Sequence, residues 1–315
     1  MSTDLVQRRI PFSFDETTPY MWLPTNPEFA HLTNLFSLLA VGLERYIVAV
    51  MRDAIPLITD EDALDEANGF LKQEARHAAM HVLHLKALMQ QHPDLQGVLD
   101  RSIEMFDEIQ QTEPLEYRLA FIADLEATFT PLFKIFIDHH HEFFEAGEDR
   151  VASLFLWHFI EEVEHRSSAL IVYDAVVGGR WYRTKVFPRA FAQATRIVFE
   201  LARGMDRVLP VEDRRVPVVR AICETSGTIE LARRAIGRRG ARRMHGRTPT
   251  GAILAMHYRL MRSQTPLHDP AHQPLPPYAV AWNAAFERGA DVAHWYGSAS
   301  ARTRSHEQGG RPWDS

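Results

Sequence analysis

From Asn26 onward the apolar positions recur at intervals of three and four residues. Leu35, Leu39, Leu43, Ile47 and Val50 fall on one face, the pattern of a helix that buries one side. Asn26-Pro27-Glu28 reads as a helix start and Pro56 as a stop, so the first helix is expected to run from Pro27 to about Asp53. A second is expected over Glu61 to Gln91, stopped before Pro93. A third run extends from Pro114 to about Glu145, with Pro131 inside it to kink or loosen the middle. A fourth spans Glu148 to Val177 and ends at Gly178-Gly179. Four long helical runs with short connections predict an all-α antiparallel four-helix bundle. Helical texture continues after Trp181, over 184–208, 216–236 and 250–261. The expected organisation is an irregular N-terminal arm (1–26, with Pro11, Pro19 and Pro24), a bundle (27–180), additional C-terminal helices (181–262) and a Pro-rich tail (263–315), disordered from about 298.

Composition narrows the reading. With 315 residues, 46% hydrophobic and 24% charged, the chain is long and apolar enough for a sizeable core. A formal charge of -6 and a pI near 6.2 argue against a general nucleic-acid binder. The charge is unevenly placed: residues 196–247 hold 13 Arg, no Lys and 6 acidic residues, a local excess of +7 that leaves -13 for the rest. That stretch is either a docking surface for an anionic partner or a solvated face beside an acidic bundle. The single cysteine, Cys223, excludes a disulfide framework and a thiolate-rich metal site. Residues 1–15 carry no apolar leader, and the longest apolar run, Phe36 to Met51, has Glu44 and Arg45 at its middle. A cytoplasmic protein without a spanning segment is the expectation.

Four glutamates lie where these helices should bury them: Glu44, Glu74, Glu126 and Glu162. A buried carboxylate without a partner costs several kcal/mol or changes its protonation, so such positions are normally paired or bind metal. Glu74 and Glu162 are each followed three residues later by a histidine, His77 and His165, on the same helix face. Glu44 precedes the first Glu-x-x-His unit by 30 residues and Glu126 precedes the second by 36. At about 1.5 Å per residue those are the spacings for ascending one helix and returning on its neighbour to the same level. On the same count Glu126 to Glu145 is about 28 Å of helix and Glu148 to Glu162 about 21 Å, so the third helix should end early or bulge near Pro131.

A Glu from each of two helices plus a Glu-x-x-His from each of two others resembles the ferritin-like di-iron carboxylate superfamily. The resemblance covers residues 27 to about 180 and implies Glu44, Glu74, His77, Glu126, Glu162 and His165 as metal ligands. It implies two Fe ions, with Mn or Zn also compatible with oxygen and imidazole donors. His158, one turn before Glu162, resembles the extra histidine ligand of the aryl-amine N-oxygenase branch, the alternative being a hydrogen-bonded core histidine. His81, four after His77, takes a similar place as ligand or supporting hydrogen-bond partner; it occupies the position of the radical tyrosine in ribonucleotide reductase small subunits, which speaks against that activity. Thr130, four after Glu126, resembles the threonine near the oxygen site of bacterial multicomponent monooxygenases and would be a proton relay, the alternative being a hydroxyl bonded back to its own helix. Phe129, Phe133 and Phe136 line a substrate pocket or simply fill the core, and His139 to His141 are expected at the surface.

The N-terminal arm, bundle and long C-terminal part together also resemble a bacterial family described as predicted metal-dependent hydrolases. The superfamily resemblance implies an oxygenase or oxidase that activates O2 to oxidise a small organic substrate, with an electron donor as partner and a homodimer as the assembly. The family resemblance implies instead a di-metal hydrolase in which metal-activated water attacks the substrate. A ferritin-like iron-handling role needs the same centre, but the chain beyond Gly179 is longer than a cage subunit would use. The zincin motif His-Glu-x-x-His is absent, since residues 77–81 lack its glutamate, and so are a Gly-rich phosphate loop and a nucleophile elbow.

Overall fold

The computed structural model describes residues 5–238, 243–270 and 273–297. The expected disorder from 298, His272 and the centre of the Arg-rich stretch at 239–242 lie outside the described residues. All regular structure among the described residues is helical. The first helix, α1 (Pro27–Ala54), starts where Asn26 accepts the Phe29 N–H (3.2 Å) with Pro27 at the first helical position. α2 (Glu61–Gln91) is capped in the same way by Asp60 onto Ala63 (2.8 Å). Both match the expected bounds closely.

The connection from α2 to the third long run is not short. Leu95–Thr112 forms α3, whose buried positions Leu95, Val98, Leu99, Ser102, Met105, Phe106 and Ile109 carry the three-and-four spacing that the sequence reading passed over. α3 lies across α1, and Gly42 makes the close approach possible: a Cβ there would stand 2.5 Å from Ser102 Oγ and 2.9 Å from the Phe106 ring.

Next comes α4 (Leu115–Asp138), which runs through Pro131 and stops short of Glu145, as the length mismatch required; a single turn, α5 (His140–Phe143), follows. Here His140 departs from expectation, being buried with its ring stacked 3.5 Å from Tyr278, while His141 is exposed beside Glu145.

The expected fourth helix is interrupted. α6 (Asp149–Glu164) ends at His165, and α7 (Ser168–Val176) resumes after a turn. Arg166 explains the break: its guanidinium donates to Val163 O (2.7 Å) and Glu164 O (3.2 Å), the carbonyls a continuous helix would give to the next turn. α1 packs on α2 and α4, and α6 packs on α4 and α2, so the four expected ligand helices do converge.

The C-terminal part begins with α8 (Arg180–Val208), which lies against α4 and α3. The expected 216–236 helix is two, α9 (Val218–Glu224) and α10 (Thr228–Ala235), separated where Gly227 adopts φ +70°. α11 (Thr250–Ser263) packs on α4, and the Pro-rich tail contains a further helix, α12 (Pro277–Glu287), with Trp282 buried under the guanidinium of Arg8. Pro276 and Pro277 start that helix instead of preventing one. In the basic stretch Arg234 is bound by Glu230 and Arg243 by Glu224, so part of its charge is neutralised within the fold. The segment Pro27–Leu57 is long and apolar enough to cross a membrane, but 83% of its apolar window is buried inside the protein.

Candidate metal centre

α1 contributes Glu44, α2 contributes Glu74 and His77, α4 contributes Glu126, and α6 contributes His158 and Glu162, with His165 at its C-terminal end. All seven are at most 3% exposed. Glu162 is the centre: its Oε1 lies 3.1 Å from His158 Nε2, 3.3 Å from His165 Nε2 and 3.4 Å from His77 Nδ1. Glu44 Oε1 approaches His158 Nε2 at 3.6 Å, and Glu74 Oε1 approaches His165 Nε2 at 3.2 Å. Two overlapping sets result, Glu44–His77–His158–Glu162 and Glu74–His77–Glu162–His165, in each of which one donor atom per residue lies within 4.8 Å of all the others. Glu126 stands outside both sets, with Oε2 3.4 Å from His165 Nδ1.

These atoms approach one another without bonding. Glu44 Oε2, Glu74 Oε1, Glu126 Oε2, His77 Nδ1, His158 Nε2 and both His165 nitrogens are buried and make no hydrogen bond. Orphaned polar atoms are rare in a folded interior, and lone pairs converging on common points are what cation sites require. The donors therefore fit a pair of metal ions, and the absence of thiolate leaves Fe, Mn and Zn all compatible.

Without cations the cluster must hold protons. Burial raises Glu126 to about 8, reinforced by the charge on Glu162, and burial together with Glu74 and Glu162 pushes Glu44 well up. Burial alone would also raise Glu162, yet His165, His158 and His77 around it hold it well below the usual range. For His77 burial is outweighed by the hydrogen bond to Glu161 and by the carboxylates of Glu162 and Glu74 facing its other nitrogen, which lift it to about 9; His158, buried and facing the charge of His77, falls to about 4. Cations bound to these donors would take the place of those protons.

Four supporting residues escaped the sequence reading. Glu161 accepts from His77 Nε2–H (2.9 Å) and from Arg8 (3.0 Å), and Arg8 also binds Glu164 (2.6 Å). Because an ionised carboxylate only accepts, His77 carries its proton on Nε2, which leaves Nδ1 facing the cluster for a cation. On the other side His158 Nδ1 pairs with His81 Nε2 (2.8 Å), His81 Nδ1 with Ser37 Oγ (2.9 Å), and Ser37 with His84 Nδ1 (3.0 Å). With His158 as the donor of that pair, the nitrogen it turns to Glu162, Nε2, is the unprotonated one. His81 thus belongs to neither set of convergent donors and is hydrogen-bonded to His158, which belongs to one. Thr130 donates to Glu126 O (3.1 Å), the hydroxyl bonded back to its own helix, and lines a cavity with Lys134, Arg262 and His268. A Glu-Glu doublet at 161–162 directly after the apolar pair Phe159-Ile160 was a readable sign for Glu161; nothing local marks Arg8, Ser37 or His84.

Residues 6–244 match the model of a family described as predicted metal-dependent hydrolase. The match begins in the N-terminal arm just before Arg8 and spans every residue of the cluster. No curated protein and no solved structure matches the chain.

Proposed function

Since the chain belongs to the predicted metal-dependent hydrolase family, we propose that it is a hydrolase whose buried cluster holds two divalent metal ions. Glu44 and His158 would hold one ion and Glu74 and His165 the other, with Glu162 and His77 common to both donor sets, and Glu126 would support the second end from the Nδ1 side of His165. A pair of divalent ions supplies acidified water and polarises the bond to be cleaved. The protein's part is to fix the donors: Arg8–Glu161 sets the ring of His77, and the His81–Ser37–His84 chain sets the ring of His158. The surrounding rings of Phe36, Phe133 and Trp157 exclude bulk water from both histidines. The observation that carries the reading is the set of buried, unbonded, convergent donors in a chain of this family.

The same carboxylate and imidazole donors also suit iron, which supports an oxidative second reading in which O2, an electron donor and a small organic substrate take part. One experiment separates the two. Metal-free protein is loaded with Zn, Mn or Fe(II) and assayed against ester, amide and phosphodiester panels, with oxygen consumption followed for the Fe(II) form. Hydrolysis that depends on metal and is lost in Glu162→Gln is the expected result. Oxygen consumption by the Fe(II) form, with no hydrolysis under any metal, overturns the hydrolase in favour of the oxidative reading.

A further inference from the structure

Beside the cluster lies a cavity of about 320 Å³ between α1, α4, α8 and α9. Its wall is built from helix faces: apolar residues at intervals of three and four along α8, from Phe187 to Phe199, oppose a matching row along α4 from Phe121 to Phe136. Such faces normally close on each other; here they line an open space. Asp124 is the one charged residue among the described lining residues, and it is held by Arg183 at 2.9 Å. The wall therefore offers no free cation for an anionic group and little to hydrogen-bond a polar one. At its inner end stand Phe36 and Phe133, whose ring centroids are 5.0 and 6.4 Å from that of His158. One aromatic ring thus separates the cavity from the metal cluster. At its outer end Phe187 and Phe191 lie 5.7 Å apart, and Phe191 is 55% exposed, so the cavity has a mouth on the surface of α8.

We infer that this cavity receives the acyl chain of the substrate, so that the bond cleaved belongs to a medium-chain acyl ester. The inference rests on the hydrolase reading above. A volume of 320 Å³ is at the small end of ligand pockets, room for a chain of roughly ten carbons at interior packing density. Unfilled apolar space is unfavourable and is not usefully hydrated, so an alkyl chain is the occupant that gains most by entering. With the chain seated, the ester carbonyl lies at the Phe36 end, and rotation of that ring admits it to the cluster. Water then adds to the carbonyl carbon, the bond to the alcohol oxygen breaks, the alkoxide leaves with the proton from that water, and the acyl group departs as a carboxylic acid that ionises in solution.

Two readouts on the full-length, metal-loaded protein test this. The first is displacement of the neutral fluorophore 1-aminoanthracene by straight-chain alcohols, which needs no turnover; the second is hydrolysis of p-nitrophenyl esters across acyl lengths. Both should favour chains near ten carbons. Ala194→Phe, which puts a ring into the cavity away from the ligands, should weaken decanol binding roughly tenfold and move both optima to shorter chains. Phe187→Ala should move them to longer chains, which guards against a variant that merely misfolds. Ester turnover without chain-length preference and without alcohol binding overturns the inference and leaves the hydrolase standing. Alcohol binding with the expected preference but no turnover of any ester keeps the chain site and overturns the ester assignment, the hydrolase itself being decided by the amide and phosphodiester panels. Loss of probe binding as protein concentration rises means that a second copy of the chain covers the mouth, which also overturns the inference.

Discussion

Removing the Glu161 carboxylate should weaken metal binding although Glu161 is not itself a ligand. Its Oε2 accepts from His77 Nε2–H at 2.9 Å and its Oε1 from Arg8 at 3.0 Å, all three groups being almost fully buried. Burial would raise its pKa, but His77 and Arg8 hold it below the usual carboxylate range, so it is ionised at neutral pH. Without it the His77 ring is free to choose its tautomer and orientation, and the charge of Arg8 is no longer offset beside the cluster. Losing such an outer carboxylate typically costs 10- to 100-fold in metal affinity, about 1.4–2.7 kcal/mol. Glu161→Gln keeps the shape and an acceptor but not the charge and belongs near the lower limit; Glu161→Ala belongs near the upper. Competition titration of Zn against a chromophoric chelator reads the affinity, with far-UV circular dichroism as a check on folding. Glu164→Gln is the control, since Glu164 binds Arg8 at 2.6 Å but is not bonded to His77, and it should stay within about threefold of the parent chain. A folded Glu161→Ala protein with affinity within twofold of the parent would refute the idea that Glu161 aligns His77.

Other consequences are as direct. Gly42→Ala should destabilise the fold by about 1–3 kcal/mol in urea titration, because the new methyl meets Ser102 and Phe106 of α3. Arg166→Ala should cost about 2–3 kcal/mol and loosen metal binding together, since Arg166 satisfies the carbonyls freed where α6 stops and places His165; a change in stability alone would contradict the second half. Burial lowers His31 to about 4, its folded value lying below the unfolded one, so its contribution is present above pH 6.5 and is lost as pH falls toward 4. Between pH 7 and pH 5 the parent chain should therefore lose about 2 kcal/mol more unfolding free energy than His31→Gln; parallel pH curves for the two proteins would count against this.

The long helices and the convergent donors were legible because both follow local periodicity. α1 and α2 begin and end at caps and prolines that the sequence displays, and the two Glu-x-x-His units place their donors by helical pitch alone. α3 was legible too: its face has the same spacing as the others, but the expectation of short connections masked it. The break after His165 was not, because it depends on Arg166 reaching carbonyls that any helix would otherwise occupy. Arg8 and Ser37 were out of reach for a similar reason. Each acquires its role from a partner far along the chain, Arg8 from Glu161 and Ser37 from His81 and His84, and separations of 153, 44 and 47 residues leave no local mark. The apolar cavity falls in the same class, since a row of phenylalanines at helical spacing reads identically whether the opposing face closes on it or stands away.

Metal content of the chain is the most direct test of the central claim. Purified protein, stripped by a chelator and dialysed against Zn, Mn or Fe(II) under anaerobic conditions, should retain two ions per chain by plasma mass spectrometry, with proton release on binding. Glu162→Ala, lacking the carboxylate common to both donor sets, should stay helical and lose that stoichiometry. One ion or none in the parent chain, or two retained in Glu162→Ala, would contradict a di-metal centre built on Glu162.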